Sequence, residues 1–309
     1  MRKIILFLLL AQSALAQHRK QTVLMGSVFE IVVVEEDSSK AQEYIQAAIT
    51  EIDRIENLIS EWRPHTPISE VNRQAGIAPV KVDKEVLELT RRALDYWEKS
   101  DGAFDISIAA LDKVWLFDGS MESLPTEQDI ARSIRNVGSQ YIRIDTLAST
   151  LYLEKVGMKI GFGSIGKGYA ADRGRAVLQA LGAKGGIVNA SGDLATWGKP
   201  PKQDTWNIGI ADPYRSDRIL KVLKMREHAA ATSGSTEKYA EIGGKRYSHI
   251  INPKTGWPST GLASVTVSGP EAEFCNFLST SLMVLGKKKG NRLIRKYPAY
   301  SAIYVKAKL

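Results

Sequence analysis

Apolar residues recur along the chain in two rhythms, one of 2 and one of about 3.6, and the switches between them predict the elements. Residues 23–34 alternate and are rich in β-branched side chains, which predicts a first strand beginning with Met25-Gly26-Ser27. Over residues 39–62 the apolar positions Tyr44, Ala48, Ile52, Ile55, Ile59 and Trp62 keep a helical spacing, and Pro64 predicts the stop. Residues 65–72 read as a polar loop. Asp83 reads as the N-cap of a second helix to about Lys99, with Asp101-Gly102 ending it. A tight connection at Gly102-Ala103-Phe104-Asp105 leads into an apolar stretch closing at Trp115-Leu116-Phe117. Thr126 with Asp129 resembles a capping box for a helix to about Asn136.

Residues 141–145, 150–153 and 158–162 then read as a meander of short strands. A glycine-crowded turn and a helix to about Leu181 follow. Strands are expected at 186–189, 206–211 and 229–232, a loop-rich part at 233–258, and a strand at 262–268. A helix at 271–285, a short one at 289–296 and a strand at 299–305 complete the reading. Helices and short strands alternate without a βαβ rhythm, which predicts an α+β fold with mixed or antiparallel sheets. No internal repeat, low-complexity tract or long linker divides the chain.

The amino terminus departs from this pattern. Arg2 and Lys3, the apolar run from Ile4 to Leu10 and Ala14-Leu15-Ala16 before Gln17 have the layout of a secretory signal peptide, so residues 1–16 read as a leader and 17–309 as the functional domain. The apolar run is too short for a membrane span. No cysteine follows the cleavage site, so no lipid anchor is expected, and the protein is expected outside the cytoplasmic membrane. Losing Arg2 and Lys3 lowers the net charge from +8 to +6. The excess is spread along the chain without basic blocks, which speaks against nucleic acid. Cys275 is the one cysteine of the sequence, so no internal disulfide and no cysteine metal site can form. His18, His65, His228 and His249 show no ligand spacing.

The densest chemical signal is Lys159-Ile160-Gly161-Phe162-Gly163-Ser164-Ile165-Gly166-Lys167-Gly168, read as a strand end, a turn and a helix start. Glycines there let a backbone approach a phosphate, and the helix N-terminus offers N–H groups. Gly161-x-Gly163-x-x-Gly166 spells a dinucleotide fingerprint, but about 160 residues precede it and Gly186 stands where a ribose-binding acid belongs. Gly161-x-x-x-x-Gly166-Lys167 spells a Walker loop until Gly168 replaces its Ser or Thr.

Further islands decide between these readings: Gly102-Ala103-Phe104-Asp105, Asn189-Ala190-Ser191-Gly192-Asp193, Thr232-Ser233-Gly234 and His249-Ile250-Ile251-Asn252-Pro253-Lys254-Thr255-Gly256. In this order, and with Gly-x-Gly-Tyr-Ala-x-Asp at 166–172, the chain resembles the ApbE family of FAD:protein FMN transferases from Met25 to Gly286. The resemblance implies an α+β fold with an FAD cleft, FAD as substrate, Mg²⁺ as cofactor, and transfer of FMN to a Thr or Ser of an acceptor protein with release of AMP. It implies an acceptor motif of the type Asp-x-x-Ser/Thr-Gly-Ala-Ser/Thr, carried by redox subunits at the outer face of the membrane. By the same resemblance Met25 lines the flavin pocket and Trp62 stacks on the flavin ring. Ala103, Phe104 and Asp105 contact the adenosine side, with Asp105 accepting hydrogen bonds, and Lys167 and Ile250 contact FAD. His249 is the proton acceptor, its pKa range suiting that task. Tyr247, Thr255 and residues 232–234 support the pocket.

The metal ligands implied are the Ser164 carbonyl and the segment Cys275-Asn276-Phe277-Leu278-Ser279-Thr280, with Asn276, Ser279 and Thr280 at the ligand positions. Here the chain departs from the family, which has Asp where Asn276 stands. Asn coordinates through oxygen but carries no charge; Glu273 and Asp193 are the acids expected to compensate if the fold brings them near. Ser191 replaces a family glycine. Two alternatives therefore stay open beside the transferase: an FAD-binding or storage protein without transferase activity, and an FAD pyrophosphatase in which water replaces the acceptor.

Overall fold

A computed structural model describes residues 16–111, 114–234 and 238–307. In chain order these form β1 (Ala16–Leu24), β2 (Ser27–Glu35), α1 (Ser38–Ile59), α2 (Pro67–Arg73), β3 (Val80–Lys81), α3 (Lys84–Lys99), α4 (Glu127–Ile134), β4 (Ile142–Asp145), β5 (Thr150–Leu153) and α5 (Gly166–Ala180). There follow β6 (Gly186–Ala190), β7 (Asp193–Trp197), β8 (Trp206–Asp212), β9 (Arg215–Met225), β10 (Ala229–Gly234), β11 (Tyr239–Ile242), β12 (Lys245–Ser248), β13 (Leu262–Gly269), α6 (Ala272–Ile294) and β14 (Ser301–Lys306). The class is α+β. Seven strands make the central sheet in the order β1-β2-β6-β7-β10-β13-β14, every neighbour antiparallel.

The sheet is covered on both faces, which explains why Ile31-Val32-Val33-Val34 in β2 is apolar without interruption. Ile31 and Val33 point into the main core with α1 residues such as Ile52 and Ile55 and the α5 residue Ala171. Val32 and Val34 point the other way, against Trp206 at the start of the β8–β9 hairpin. Leu194 and Ala230 likewise meet Met225 from that hairpin. Helix α1 lays Ala41, Tyr44, Ile45, Ala48, Ile52, Ile55 and Ile59 on the core, as its spacing predicts, and Asp37 caps it by accepting from the Ser39 and Lys40 N–H groups at 2.8 and 3.2 Å.

Several expectations are corrected. The first strand is a hairpin: Met25 and Gly26 form its two-residue turn, both with positive φ (50° and 65°), the geometry that matches strand twist. Ala16, the last residue of the expected leader, opens β1; the rest of the leader lies outside the described residues. Helix α1 stops at Ile59 because Ser60 turns extended, so Trp62 lies beyond it. Residues 65–72 are not a loop: Thr66 accepts from the Ser69 N–H at 3.1 Å and Pro67 stands in the first turn, so a helix forms. Residues 158–162 are not a strand. Asn72 takes the place of a neighbouring strand there, donating to the Ile160 carbonyl at 2.9 Å and accepting from its N–H at 2.8 Å. The loop-rich part contains the β11–β12 hairpin. The two helices expected after residue 271 are one element broken at Gly286 (φ 68°).

Candidate functional site

The glycine loop enters α5, and α5 lies against α6 more closely than ordinary side chains allow. A Cβ on Gly168 would stand 2.5 Å from the Ala272 carbonyl oxygen and 2.9 Å from the Glu273 Cα, so the contact is backbone to backbone. Four residues on, Asp172 accepts from the Glu273 N–H at 2.9 Å and also from that of Ala272. The N-cap position of α6 is Glu271, whose side chain makes no capping bond; Asp172 of the neighbouring helix does this work instead. Burial pushes the Asp172 carboxyl up to about 6 although Arg175 pairs with it at 2.9 Å. The two helices are thereby locked in register, and with them the groups they carry.

That register places Asn276 opposite the loop. Oriented by its surroundings, its amide nitrogen donates to the Ser164 carbonyl at 3.1 Å and to Asp193 Oδ2 at 3.2 Å. Asp193 opens β7, is 3% exposed, and arrives through the tight β6–β7 turn, in which Asn189 Oδ1 accepts from the Gly192 N–H at 2.9 Å. Ser191 holds φ 56° in that turn, a left-handed conformation that explains why glycine suits the position. Thus the fold does bring Asp193 to Asn276. It does not bring Glu273: that carboxylate is held by Arg92 at 2.8 and 2.9 Å and by the Tyr96 hydroxyl at 2.9 Å.

Thr280 follows Asn276 by one helical turn, its hydroxyl 3.2 Å from that of Ser233 on β10. The fully buried Ser279 hydroxyl lies 2.8 Å from Ser233 Oγ and donates to the Asn276 carbonyl at 3.1 Å, so its side chain ties α6 to the sheet. A carbonyl, a carboxylate and an amide that presents oxygen when turned over form an all-oxygen donor set, the kind a hard divalent cation such as Mg²⁺ takes. Among the described residues no three His, Cys, Asp or Glu converge on a point, so a softer metal has no such nest. The donor set fits the implied metal, with one carboxylate as its formal charge.

Around this corner Met25 and Ile59 reach Gly166: a Cβ there would lie 3.4 Å from the Met25 methyl and 3.1 Å from Ile59 Cδ1. The Met25 N–H is held by Glu56 at 2.7 Å. Lys167 stands half-buried in the first turn of α5, which no side chain caps. Trp62 is 77% exposed, an open aromatic face beside the loop end of α1.

The side chains of Phe104 and Asp105, expected on the adenosine side, have partners within the fold. Phe104 is buried edge-on to Tyr96 and Phe277, with ring centroids at 6.0 and 5.5 Å. Asp105 already accepts from four donors, the N–H and hydroxyl of Ser107 at 2.8 and 2.5 Å and those of Ser139 at 3.2 and 2.7 Å. A carboxylate so occupied braces two loops. With buried Ala103 before it, this segment contributes Gly102 and Asp105 to the wall of a cleft of about 600 Å³ that Lys254 also lines.

His249 is exposed. Its Nδ1 lies 2.9 Å from the Lys238 carbonyl, which can only accept, so Nδ1 carries the proton and Nε2 is the basic nitrogen. Ile250 next to it is buried. The following loop is rigid: Asn252 accepts from the N–H groups of Thr255, Gly256 and Lys254 at 3.1, 2.8 and 2.9 Å, and Trp115 donates to the Gly256 carbonyl at 2.8 Å. Asn72 and the capping role of Asp172 escaped the sequence reading, since both act through partners about ninety or more residues away.

The chain is 30% identical over 278 residues to the FAD:protein FMN transferase of Salmonella typhimurium, covering 88% of this chain and 79% of that protein. With the FAD:protein FMN transferase of Treponema pallidum it shares 27% over 305 residues, 94% of this chain and 84% of the other. A crystal structure of the ApbE protein from Thermotoga maritima superposes with a TM-score of 0.86 at 29% identity, covering 94% of both chains. The apo flavinyl transferase ApbE of Pseudomonas stutzeri gives 0.83 at 28% identity, over 96% of this chain and 93% of that one. The model of the ApbE family matches residues 25–304, and the chain belongs to that family.

Proposed function

We propose that the protein is an exported, Mg²⁺-dependent FAD:protein FMN transferase. The observation that carries the reading is the convergence of Ser164, Asp193 and Asn276 beside Lys167 at the start of α5. Mg²⁺ held by Ser164, Asp193, Asn276 and Thr280 would supply neutralisation of pyrophosphate charge. Lys167 and the uncapped start of α5 hold the same anion from the protein side. Met25 and Trp62 offer apolar and aromatic surface to the flavin. His249 Nε2 takes the proton of an acceptor Thr or Ser hydroxyl as its oxygen bonds to the FMN phosphorus. The bond from that phosphorus to the bridging oxygen breaks, and AMP leaves with that oxygen. Positioning and charge neutralisation are what such a transfer needs from a protein.

The chemistry suits an acceptor segment bearing the Asp-x-x-Ser/Thr-Gly-Ala-Ser/Thr motif on an extracytoplasmic redox subunit. The test is purified protein with FAD, Mg²⁺ and such a peptide, read by mass spectrometry and AMP release. FMN on the peptide, lost in His249→Ala with FAD binding retained, is the expected result. FAD bound without AMP at any Mg²⁺ concentration would establish the storage reading, which the uncharged Asn276 favours; AMP and free FMN without peptide would establish the pyrophosphatase. Amino-terminal sequencing of the extracytoplasmic protein is expected to begin at Gln17.

A further inference from the structure

The glycine loop shelters a carboxylate that the scheme above leaves unused. Glu61 follows the end of α1 by two residues and rests against Gly161: a Cβ there would stand 2.5 Å from Glu61 Oε1 and 2.8 Å from its Cδ, so the carboxylate occupies the space a side chain would fill. The loop is fixed at this point from two sides. The Gly161 N–H donates to the Ile106 carbonyl at 3.0 Å, and Asn72 grips Ile160 through both amide atoms. Three other shielded acids are matched by arginine: Glu56 by Arg63, Glu85 by Arg54 and Glu273 by Arg92. Glu61 receives a hydrogen bond from its own backbone N–H and the more distant pull of Lys159, and burial raises its pKa. A carboxylate kept this way costs the fold free energy, an arrangement typical of binding sites.

We propose that Glu61 is a substrate-binding residue whose carboxylate accepts hydrogen bonds from the ribityl hydroxyls of FAD. This rests on the transferase reading and deepens it. Glu61 stands between two landmarks: the exposed ring of Trp62, the next residue, and Ser164, three residues past Gly161 and so within about 10 Å of it along the chain. In FAD the ribityl chain joins the flavin ring to the pyrophosphate. It is a row of O–H donors, and an ionised carboxylate is an acceptor only, so the pair is chemically matched and charge-assisted. Gly161 is then required because it makes room for the group that reads the flavin half.

The test is equilibrium binding to the intact protein of riboflavin, of lumiflavin (the same ring with methyl in place of ribityl) and of ADP, for wild type, Glu61→Gln and Gly161→Ala. Glu61→Gln is expected to weaken riboflavin roughly tenfold or more, to leave lumiflavin and ADP unchanged, and to leave the melting temperature of the ligand-free protein unchanged or higher. Gly161→Ala, which displaces the carboxylate, reproduces the selective loss. Equal losses for riboflavin and lumiflavin, or a loss on ADP alone, overturn the proposal; the latter moves the contact to the adenosine ribose. A lower melting temperature without any ribityl-selective loss assigns Glu61 a structural role and also overturns it. A wild type that binds FAD, with Glu61→Gln indifferent to the ribityl chain, defeats this proposal alone; a wild type that binds no FAD defeats the transferase reading with it.

Discussion

Replacing Asn276 by Asp exposes the balance struck at the oxygen cluster. In the wild type the amide donates to the Ser164 carbonyl and to Asp193, so the corner is satisfied without a cation. Aspartate removes both donors and sets a second carboxylate oxygen 3.2 Å from Asp193 Oδ2. At an effective dielectric constant near 20 that repulsion is about 5 kcal/mol. A proton shared by the pair limits the penalty: holding it at pH 7 costs about 1.36 × (7 − 3.9), or roughly 4 kcal/mol. At roughly 2–4 °C per kcal/mol for a chain of this size, the ligand-free variant melts about 10 °C lower. A divalent cation between the carboxylates reverses the sign, so the melting temperature of Asn276→Asp rises far more on adding Mg²⁺ than that of the wild type. Thermal scans of both proteins with chelator and with millimolar Mg²⁺ read all four states. Identical ligand-free stability and identical Mg²⁺ response would refute the argument that Asn276 faces Asp193 across a cation site.

Gly168→Ala forces the α5 and α6 backbones apart at the Ala272 carbonyl and is expected to cost about 3 kcal/mol or more in urea unfolding; an unchanged midpoint would mean the helices do not touch there. Asp172, held near 6 against 3.8 for the free group, binds its proton more tightly folded than unfolded. Its contribution is therefore present below the unfolded value and lost as pH rises from about 4 to 6, about 3 kcal/mol over 2 units. Asp172→Asn should flatten that slope, and a slope equal to the wild type's would rule Asp172 out as its source. Asp105→Ala leaves four donors from Ser107 and Ser139 without their acceptor and should cost about 3–5 kcal/mol; a cost below about 1 kcal/mol would show that the carboxylate is not the brace described.

Much of this molecule is readable from the chain itself where the signal is local. The spacing of α1, the cap at Thr126, and the island motifs from Met25 to Gly256 all depend on residues a few positions apart. The failures share one cause. Residues 158–162 read as the third strand of a meander, yet the backbone groups of Ile160 pair with Asn72, 88 positions away. The inward placement of the Phe104 and Asp105 side chains is likewise set by residues distant in sequence, Phe277 and Ser139 among them. The strand at 206–211 is legible, whereas its partner β9 (Arg215–Met225) is masked by charges interspersed along it. Glu61 and Gly161 are a hundred positions apart, so only the fold reveals that one fills the space of the other.

The cap that Asp172 places on α6 has a consequence for the order in which the molecule is made. The partners are 101 residues apart, and between them lie four strands of the central sheet, β6, β7, β10 and β13, and the hairpins β8–β9 and β11–β12. A nascent chain that has produced only its first two hundred and fifty residues owns Ser164, Lys167 and Asp193 but neither the helix that faces them nor the amide that joins them. Synthesis of α6 thus acts as an arming step: an incomplete or truncated chain carries the glycine loop, yet has no finished corner with which to engage a dinucleotide.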